Sequence, residues 1–535
     1  MRCYALILFL PATLAFQLPF RIPFFTNNDI VEDLRESDSN NSLPRVAIIG
    51  AGAGGTSAAF WIHKAKERYG LAVEIDVFER ETYIGGRSTI VYPYSNTSLP
   101  HLELGASIFV PANKNILRAS YEFNLTYKEF DQGGKTGVWN GEELLFSFGD
   151  GWWDTVKAII RFGILAPKKT GELVDSAVKS FLTLYTIETP KWDDMSGLTT
   201  ALNFKDMVEK TAADYFVERG VSKKYTEELI EAATRVNYGQ NSDDIHGLGG
   251  AISMAATGAK GIQGGNFQIF EEFLKRSGAN VHLDTAITEI SEVLSPSPQW
   301  EVKSALGTRK YQAVILAAPF HSSGITIPSP LATSIPKQPY VHLHVTLLTT
   351  TSPTPDPTYF GLKPGSILPN MTLTSWEGVR RGGNEPEFNS LSYHGLVREG
   401  EWAVKIFSSA RLSDEWLNKM FSGQVGWIHR KEVDLLQSPL ALALLIFLFF
   451  KWDAYPKLTP TATFPPIKLG RGFYYVNAFE PFISTMETET IASRNIVDLL
   501  LHEEFGSGLC GPRVDLHNDQ TPLPTSKEFV YGWDC

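Results

Sequence analysis

The eleven residues RVAIIGAGAGG, 45–55, limit what this chain can become more than any other stretch. Val46 to Ile49 form an apolar run of the kind that fills a buried parallel strand. Gly50, Gly52 and Gly55 follow at the spacing of a dinucleotide-binding turn. Each glycine answers a separate demand. Gly50 permits the tight turn, Gly52 lets backbone approach a pyrophosphate with no Cβ in the way, and Gly55 lets the next helix pack closely on its strand. The start of that helix offers N–H groups and a positive dipole end to phosphates. The helix is predicted over TSAAFWIHKAKERYG, where Ala58, Ala59, Ile62 and Ala65 recur near helical spacing and Gly70 stops it. AVEIDVFER then reads as a second buried strand tipped by Glu79. An acid there accepts hydrogen bonds from a ribose hydroxyl and repels a phosphorylated ribose.

A chain of 535 residues, 43% hydrophobic and 20% charged, has room for a large two-domain enzyme with a sizeable core. Its net charge of −11 argues against nucleic acid as the main partner, which would need a basic excess. The opening MRCYALILFLPATLAF pairs Arg2 with an apolar run too short to span a bilayer, so residues 1–16 read as a secretory signal peptide and 17–44 as a linker. Cys3 would leave with that leader. Cys510 and Cys535 remain, which leaves open a disulfide tying down the C-terminal tail in an oxidising compartment. Neither has CxxC spacing or a ligand cluster nearby, so no metal site is expected. Sequons at Asn40, Asn96, Asn124 and Asn370 agree with a lumenal route.

Residues further along separate flavin from nicotinamide. In YIGGRS, 83–88, Gly85 and Gly86 let the backbone run close to a cofactor and Arg87 approaches its diphosphate. This resembles the Gly-Gly-Arg segment of flavin-dependent amine oxidases. That resemblance implies that HLELGASIF places Glu103 and Gly105 beside the isoalloxazine and ribityl chain. It also implies that, in the strand beginning at Ala279, the backbone of Ile287 meets the adenine. YQAVILAAPF supplies another buried strand, Ala313 to Ala317. Near the end, GFYYVNAFEPFISTMETETIASRNIVDLLL supplies a strand, an acid at Glu480 and a helix that begins near Thr485 and Met486. N–H groups at that helix start would face the flavin pyrimidine oxygen and stabilise negative charge on the reduced ring.

The likeness then narrows. ELGASIFVPANKNI, RVNYGQNSDDIHGLGGAISMAATGAKGIQGGNFQIF, WDAYPKL and FPPIKLGRGFYYVNAFEPFISTMETETIASRNIVDLL resemble the prenylcysteine oxidase family, also called prenylcysteine lyase, from about Arg45 to Leu501. What this implies is an FAD-dependent thioether oxidase of S-farnesyl- or S-geranylgeranyl-cysteine. Hydride leaves the carbon beside sulfur for FAD, water attacks the thionium, and cysteine and the prenyl aldehyde are released. Dioxygen takes the electrons as hydrogen peroxide. The family implies breakdown of prenylated proteins, and a lysosome, vacuole or extracellular space as the setting. An FAD oxidase of amines and a flavin-binding protein without turnover are the alternatives.

The fold class expected is α/β, a discontinuous Rossmann-like FAD-binding domain with an interleaved substrate domain. FAD-binding pieces fall at 45–114, 251–325 and 466–505, a helical substrate region at 115–250, a substrate domain at 326–465 and a tail at 506–535. Hydride abstraction needs no side-chain base, so none is assigned. His246, Tyr238 and Asn266 stand in family-like segments and read first as hydrogen-bonded core residues, with activation of water or steering of the amino-acid end as the alternative for His246 and the same ambiguity for the other two. LFSFGDGWWDTVKAIIRFGILA and SFLTLYTI are expected to be helical core, with a lid or tunnel for the prenyl chain as the functional option, and the lipid substrate leaves membrane association open. VDLLQSPLALALLIFLFFK, 433–451, separates two pieces that look contiguous in the family, and is too short to span a membrane. It reads as a retained intron, beginning at a valine codon whose first bases are GT; a membrane-contacting hairpin is the alternative.

Overall fold

The computed structural model describes residues 43–129, 134–149, 151–189, 191–294, 299–431, 453–510 and 529–535. The expected leader, nearly all of the linker and the 433–451 segment lie outside the described residues. Strand Arg45–Ile49 sits inside a six-stranded sheet ordered Lys468–Gly470, Phe473–Tyr475, Ala313–Leu316, Arg45–Ile49, Glu74–Phe78 and Asn280–His282. Its pairings are parallel except at the Lys468–Gly470 edge. Ile48 lies between Ile315 and Val77, all three fully buried, because helices cover both faces of a parallel sheet. Three distant stretches of sequence therefore build one dinucleotide-binding module.

Helix Ala53–Tyr69 packs between two others. On one side Trp61 donates its indole N–H to the Thr490 carbonyl at 3.3 Å, and the Ser493 hydroxyl donates to the Gly54 carbonyl at 2.6 Å. Both partners belong to helix Met486–Phe505, whose small residues allow this approach. On the other side Phe60 meets Phe273 of helix Phe267–Ser277, ring centres 4.9 Å apart. Each such buried ring stabilises the fold by roughly 1.5–3 kcal/mol.

The strand expected from Ala279 through Ile287 is two strands. Asn280–His282 ends the six-stranded sheet, and Ile287 opens Ile287–Val293 in a separate three-stranded antiparallel sheet. The break comes at Asp284, with φ of +52°, where the amides of Asp284 and Thr285 donate to the carbonyls of Glu81 and Glu79. No glycine or proline marks this turn in the sequence.

A second, seven-stranded sheet runs Val425–Lys431, His344–Thr350, Glu401–Ser408, Ser390–Arg398, Met371–Thr374, Thr136–Trp139 and Leu144–Phe148. Alternation gives it two faces. Val345, Leu347, Ala403 and Phe407 pack with Leu102 and Leu104 of the dinucleotide module, while Leu348, Val404 and Ile406 pack with Leu417, Met420 and Phe421. Region 115–250 is mostly helical, yet it supplies the last two strands of this sheet.

The expectation of helical core fails over helix Trp152–Phe162 and the turn after it. Trp152, Trp153, Ile160, Ile164 and Leu165 are 64%, 60%, 79%, 66% and 68% exposed. Only Asp154 and Phe162 of that helix are buried, so its apolar stripe faces solvent. In the second stretch, Leu184 and Tyr185 are buried as expected. No helix among the described residues is long and apolar enough to cross a membrane.

Cys510 and Cys535 form a disulfide, and the tail it holds places Trp533 against Phe60 and Trp61. Arg68 fastens the same tail by donating to the carbonyls of Leu509, Gly532 and Trp533. The strands that border 433–451 share an unexpected property. Lys431 pairs with Val345 and Asp453 with His342, both antiparallel. Removing the nineteen residues 433–451 would put both pairs in one unbroken register along the chain from His342 to Val345.

Candidate active site

Two glycine turns meet where the first and second sequence motifs come together. Gly50 has φ of +107°, and a Cβ on it would lie 2.5 Å from the Ala317 carbonyl oxygen. A Cβ on Gly55 would lie 1.8 Å from the Gly50 carbonyl oxygen. Protein packing therefore demands both glycines. Gly52 differs: the nearest atom to its Cβ would be Gly86 Cα at 3.8 Å. Nothing in the protein forbids a side chain at Gly52, and the space it leaves lies between two turns at a helix N-terminus. The Gly85 amide donates to the Ala51 carbonyl at 2.9 Å and holds the turns together.

Glu79 stands at the tip of its strand, but it serves the loop. One carboxylate oxygen accepts from the Ala51 amide at 2.7 Å and the other from the Glu81 amide at 2.9 Å. Burial raises its pKa, and those two amides oppose the rise.

Arg87 and Glu480, 393 residues apart, form an ion pair, and Glu480 is fully buried. Tyr340 donates to the same carboxylate, and Arg87 also reaches the Ala454 carbonyl at 3.4 Å. Burial works against the guanidinium charge, but Glu480 more than offsets this and holds Arg87 above its ordinary range. Glu489 lies close by. Burial, then repulsion from Glu480, pushes its carboxyl well up, and its Oε1 has no partner among the described residues. Sequence reasoning took Glu480 and Arg87 as separate contacts and missed their pairing, along with Tyr340 and Glu489. Only Glu489, inside the quoted METET run, lay within a recognised motif.

Thr485 caps helix Met486–Phe505 through a reciprocal box with Thr488. The box satisfies the amides of Thr485 and Thr488, leaving those of Met486 and Glu487 as first-turn donors outside the cap. Glu487 turns its carboxylate to the amides of Asn115 and Ile116, each at 2.9 Å, and so caps the neighbouring helix Lys114–Glu122. Asn266 gives Nδ2–H to the Ala106 carbonyl at 2.7 Å and accepts from the Ile262 amide at 2.8 Å, which fixes the loop carrying Glu103 and Gly105. Ile287 heads its own sheet, two residues beyond Thr285, whose amide donates to the Glu79 carbonyl at 2.8 Å.

His246 is fully buried. Its Nδ1 accepts from the Gly249 amide at 3.0 Å, and its Nε2 lies 3.2 Å from the Pro481 carbonyl, to which it donates in that tautomer. The ring caps helix Gly247–Ser253 and grips the residue after Glu480. Burial lowers its pKa to about 4, so it stays neutral and acts as a positioning residue. With the folded pKa below the unfolded value near 6.5, its contribution is complete above about pH 6.5 and is lost as pH falls toward 4. His246→Asn should flatten this part of the stability curve by about 2.4 kcal/mol, read as the difference between variant and wild-type unfolding at pH 7 and pH 4.5. Identical slopes would contradict the assignment. Tyr238, also buried, sets its ring edge-on to Tyr455 at 5.7 Å.

The dinucleotide module and the sheet above it match known proteins. A model of the NAD(P)-binding Rossmann-like domain matches residues 48–122, and the prenylcysteine lyase model matches residues 148–508. The chain belongs to the prenylcysteine lyase family. Among members of this family, farnesylcysteine lyase of Arabidopsis thaliana is 28% identical over 484 residues, covering 86% of this chain and 89% of the relative. Prenylcysteine oxidase 1 of Homo sapiens is 28% identical over 494 residues, covering 86% and 90%. Putrescine oxidase bound to putrescine superposes with a TM-score of 0.56 at 14% identity, covering 85% of this chain and 99% of that one. Cyclohexylamine oxidase from Brevibacterium oxydans gives 0.54 at 14% identity, with 86% and 99% covered. At that identity these two show the fold alone.

Proposed function

We propose that this chain is an FAD-dependent oxidase that cleaves the thioether of S-prenylcysteine, working within the secretory pathway or a degradative vacuole. The observation that carries the proposal is the meeting of the two glycine turns beneath a sheet whose facing side is largely apolar. Such a site takes a dinucleotide on one side and a greasy chain on the other. Membership of the prenylcysteine lyase family, and relatives named for farnesylcysteine and prenylcysteine, select the substrate class.

The residues suit FAD. The open face of Gly52 and the start of helix Ala53–Tyr69 would receive the diphosphate, with Gly86 and Arg87 opposite. Glu79 retains lone pairs for a ribose hydroxyl, and the Ile287 backbone would border the adenine. The amides beside Thr485 and Met486 would face the pyrimidine oxygen, with Gly105 along the ribityl side. The chemistry that FAD supplies when bound is acceptance of a hydride and return of both electrons to dioxygen. The packed cluster of Leu102, Leu104, Val345, Leu347 and Phe407 closes this side of the site to water, and the prenyl chain would border it. The reaction balances as thioether, dioxygen and water giving cysteine, prenyl aldehyde and hydrogen peroxide. Peroxide and farnesal release from S-farnesylcysteine tests it.

The Cys510–Cys535 disulfide and the exposed sequons at Asn96, Asn124 and Asn370 support the lumenal setting. The exposed face of Trp152, Trp153, Ile160, Ile164 and Leu165 supports contact with the lipid surface from which such substrates come. In vesicle flotation, replacing Trp152 and Trp153 by serine should lower binding at least about tenfold; unchanged flotation would remove the membrane contact.

A further inference from the structure

The sheet face above the dinucleotide module is apolar around Leu102 and Leu104 except at one place. There Ser392 and Lys405 lie opposite each other on neighbouring strands, with His394 beside them. Lys405 is nearly fully buried. Its ammonium donates to the Ser107 hydroxyl at 2.9 Å and sits 4.7 Å from the Phe407 ring centre. The His394 ring pairs with the Ser392 hydroxyl at 2.8 Å. His394 has accessible surface, yet enough protein surrounds it, with Lys405 and Lys128 near, to push its imidazole down to about 3.

Glu103 faces this group from the connector that follows the second glycine turn. Its Oε1 accepts from the Asn266 amide at 2.8 Å, while its Oε2 is buried and takes no partner among the described residues. Burial pushes Glu103 up to about 7, against the pull of Lys405 and Lys128, and pushes Lys405 down to about 8, against the pull of Glu103. Two opposite charges thus face each other without forming an ion pair among the described residues, and each retains hydrogen-bonding capacity. A buried carboxylate oxygen left unmatched is costly and calls for a partner. A zwitterion complements the two: its ammonium would meet the unpartnered Glu103 oxygen, and its carboxylate the remaining N–H groups of Lys405.

We infer that Glu103 and Lys405 form a clamp for the α-ammonium and α-carboxylate of the substrate's cysteine end, with the apolar wall taking the chain attached to its sulfur. This rests on the function proposed above and adds the part of the site that separates free prenylcysteine from its blocked derivatives. Both residues bind and orient, and neither is asked to move a proton.

The test compares S-farnesylcysteine, its N-acetyl derivative and its methyl ester on the flavin-loaded enzyme and on Glu103→Gln and Lys405→Met. Calorimetric binding is measured beside kcat/KM. Flavin content and melting temperature are followed for each variant, and Lys405→Arg serves as a second variant that keeps the charge. Blocking the amine, or Glu103→Gln, should each lower kcat/KM for the wild-type pairing about 100-fold, and the two losses together should not add. The ester and Lys405→Met should behave in the same way, with Lys405→Arg recovering part of the loss. If the wild type oxidises all three compounds equally, the clamp is overturned while the thioether oxidase stands. Binding of the free zwitterion with selective loss in the variants, but no oxidation, would keep the clamp and overturn the oxidase. Equal binding of all three compounds without oxidation would overturn both.

Discussion

Glu480→Gln should lower the stability of this protein by about 3 kcal/mol, and Glu480→Gln combined with Glu489→Gln by about 5 kcal/mol, measured by denaturant unfolding. The reason lies in the charges around Arg87. Glu480 is fully buried and carries the Arg87 guanidinium and the Tyr340 hydroxyl on one carboxylate. Removing its charge strands a cation in a setting that disfavours it. Glu489 softens the first loss. Burial and the Glu480 charge hold its carboxyl up, so when that charge goes Glu489 ionises more readily and takes over part of the pairing. The second substitution removes this reserve. Adding Arg87→Met should then restore much of the stability, because no charge is left without a counterpart. If Glu480→Gln stays within about 1 kcal/mol of wild type, the pair is a surface-like contact of little worth and this account of the site's base is wrong.

The glycines of the first turn should separate binding from folding. Gly55→Ala drives a Cβ to within 1.8 Å of the Gly50 carbonyl oxygen, so the protein should fail to accumulate in folded form. Gly52→Ala meets no protein atom closer than 3.8 Å, so it should fold with an unchanged melting temperature when the cofactor is absent. Its methyl group would stand where the diphosphate must come close. FAD affinity should therefore fall at least about 100-fold, roughly 2.7 kcal/mol, measured by the fluorescence of released flavin. A Gly52→Ala protein that retains tightly bound flavin would move the diphosphate elsewhere.

Much of this was legible in the sequence where backbone geometry leaves residue-specific marks. Gly50 and Gly55 are written as glycine because nothing else fits, and the cap at Thr485 shows in its threonines. The break before Ile287 was invisible, since no glycine or proline stands near Asp284 and the bend is held by the carbonyls of Glu79 and Glu81, in the loop after a distant strand. The Arg87–Glu480 pair joins residues 393 apart, which spacing within a motif cannot show. Lys405 gave no signal, because a lone lysine in a strand reads as a solvated residue until the opposite wall is known. The exposed tryptophans of helix Trp152–Phe162 misled in the other direction: apolar spacing establishes a stripe, and what covers it is settled by the rest of the fold.

The register across 433–451 bears on which protein to assay. The shorter chain would make one continuous strand in place of two, and a transcript lacking that segment would agree with it. The most direct test of the central claim is hydrogen peroxide and farnesal release from S-farnesylcysteine by the purified yellow protein, prepared both with and without residues 433–451. The account predicts one peroxide and one aldehyde for each thioether consumed in the shorter protein. A flavin that stays oxidised with S-farnesylcysteine, while an amine reduces it, would contradict the claim and leave only the dinucleotide fold.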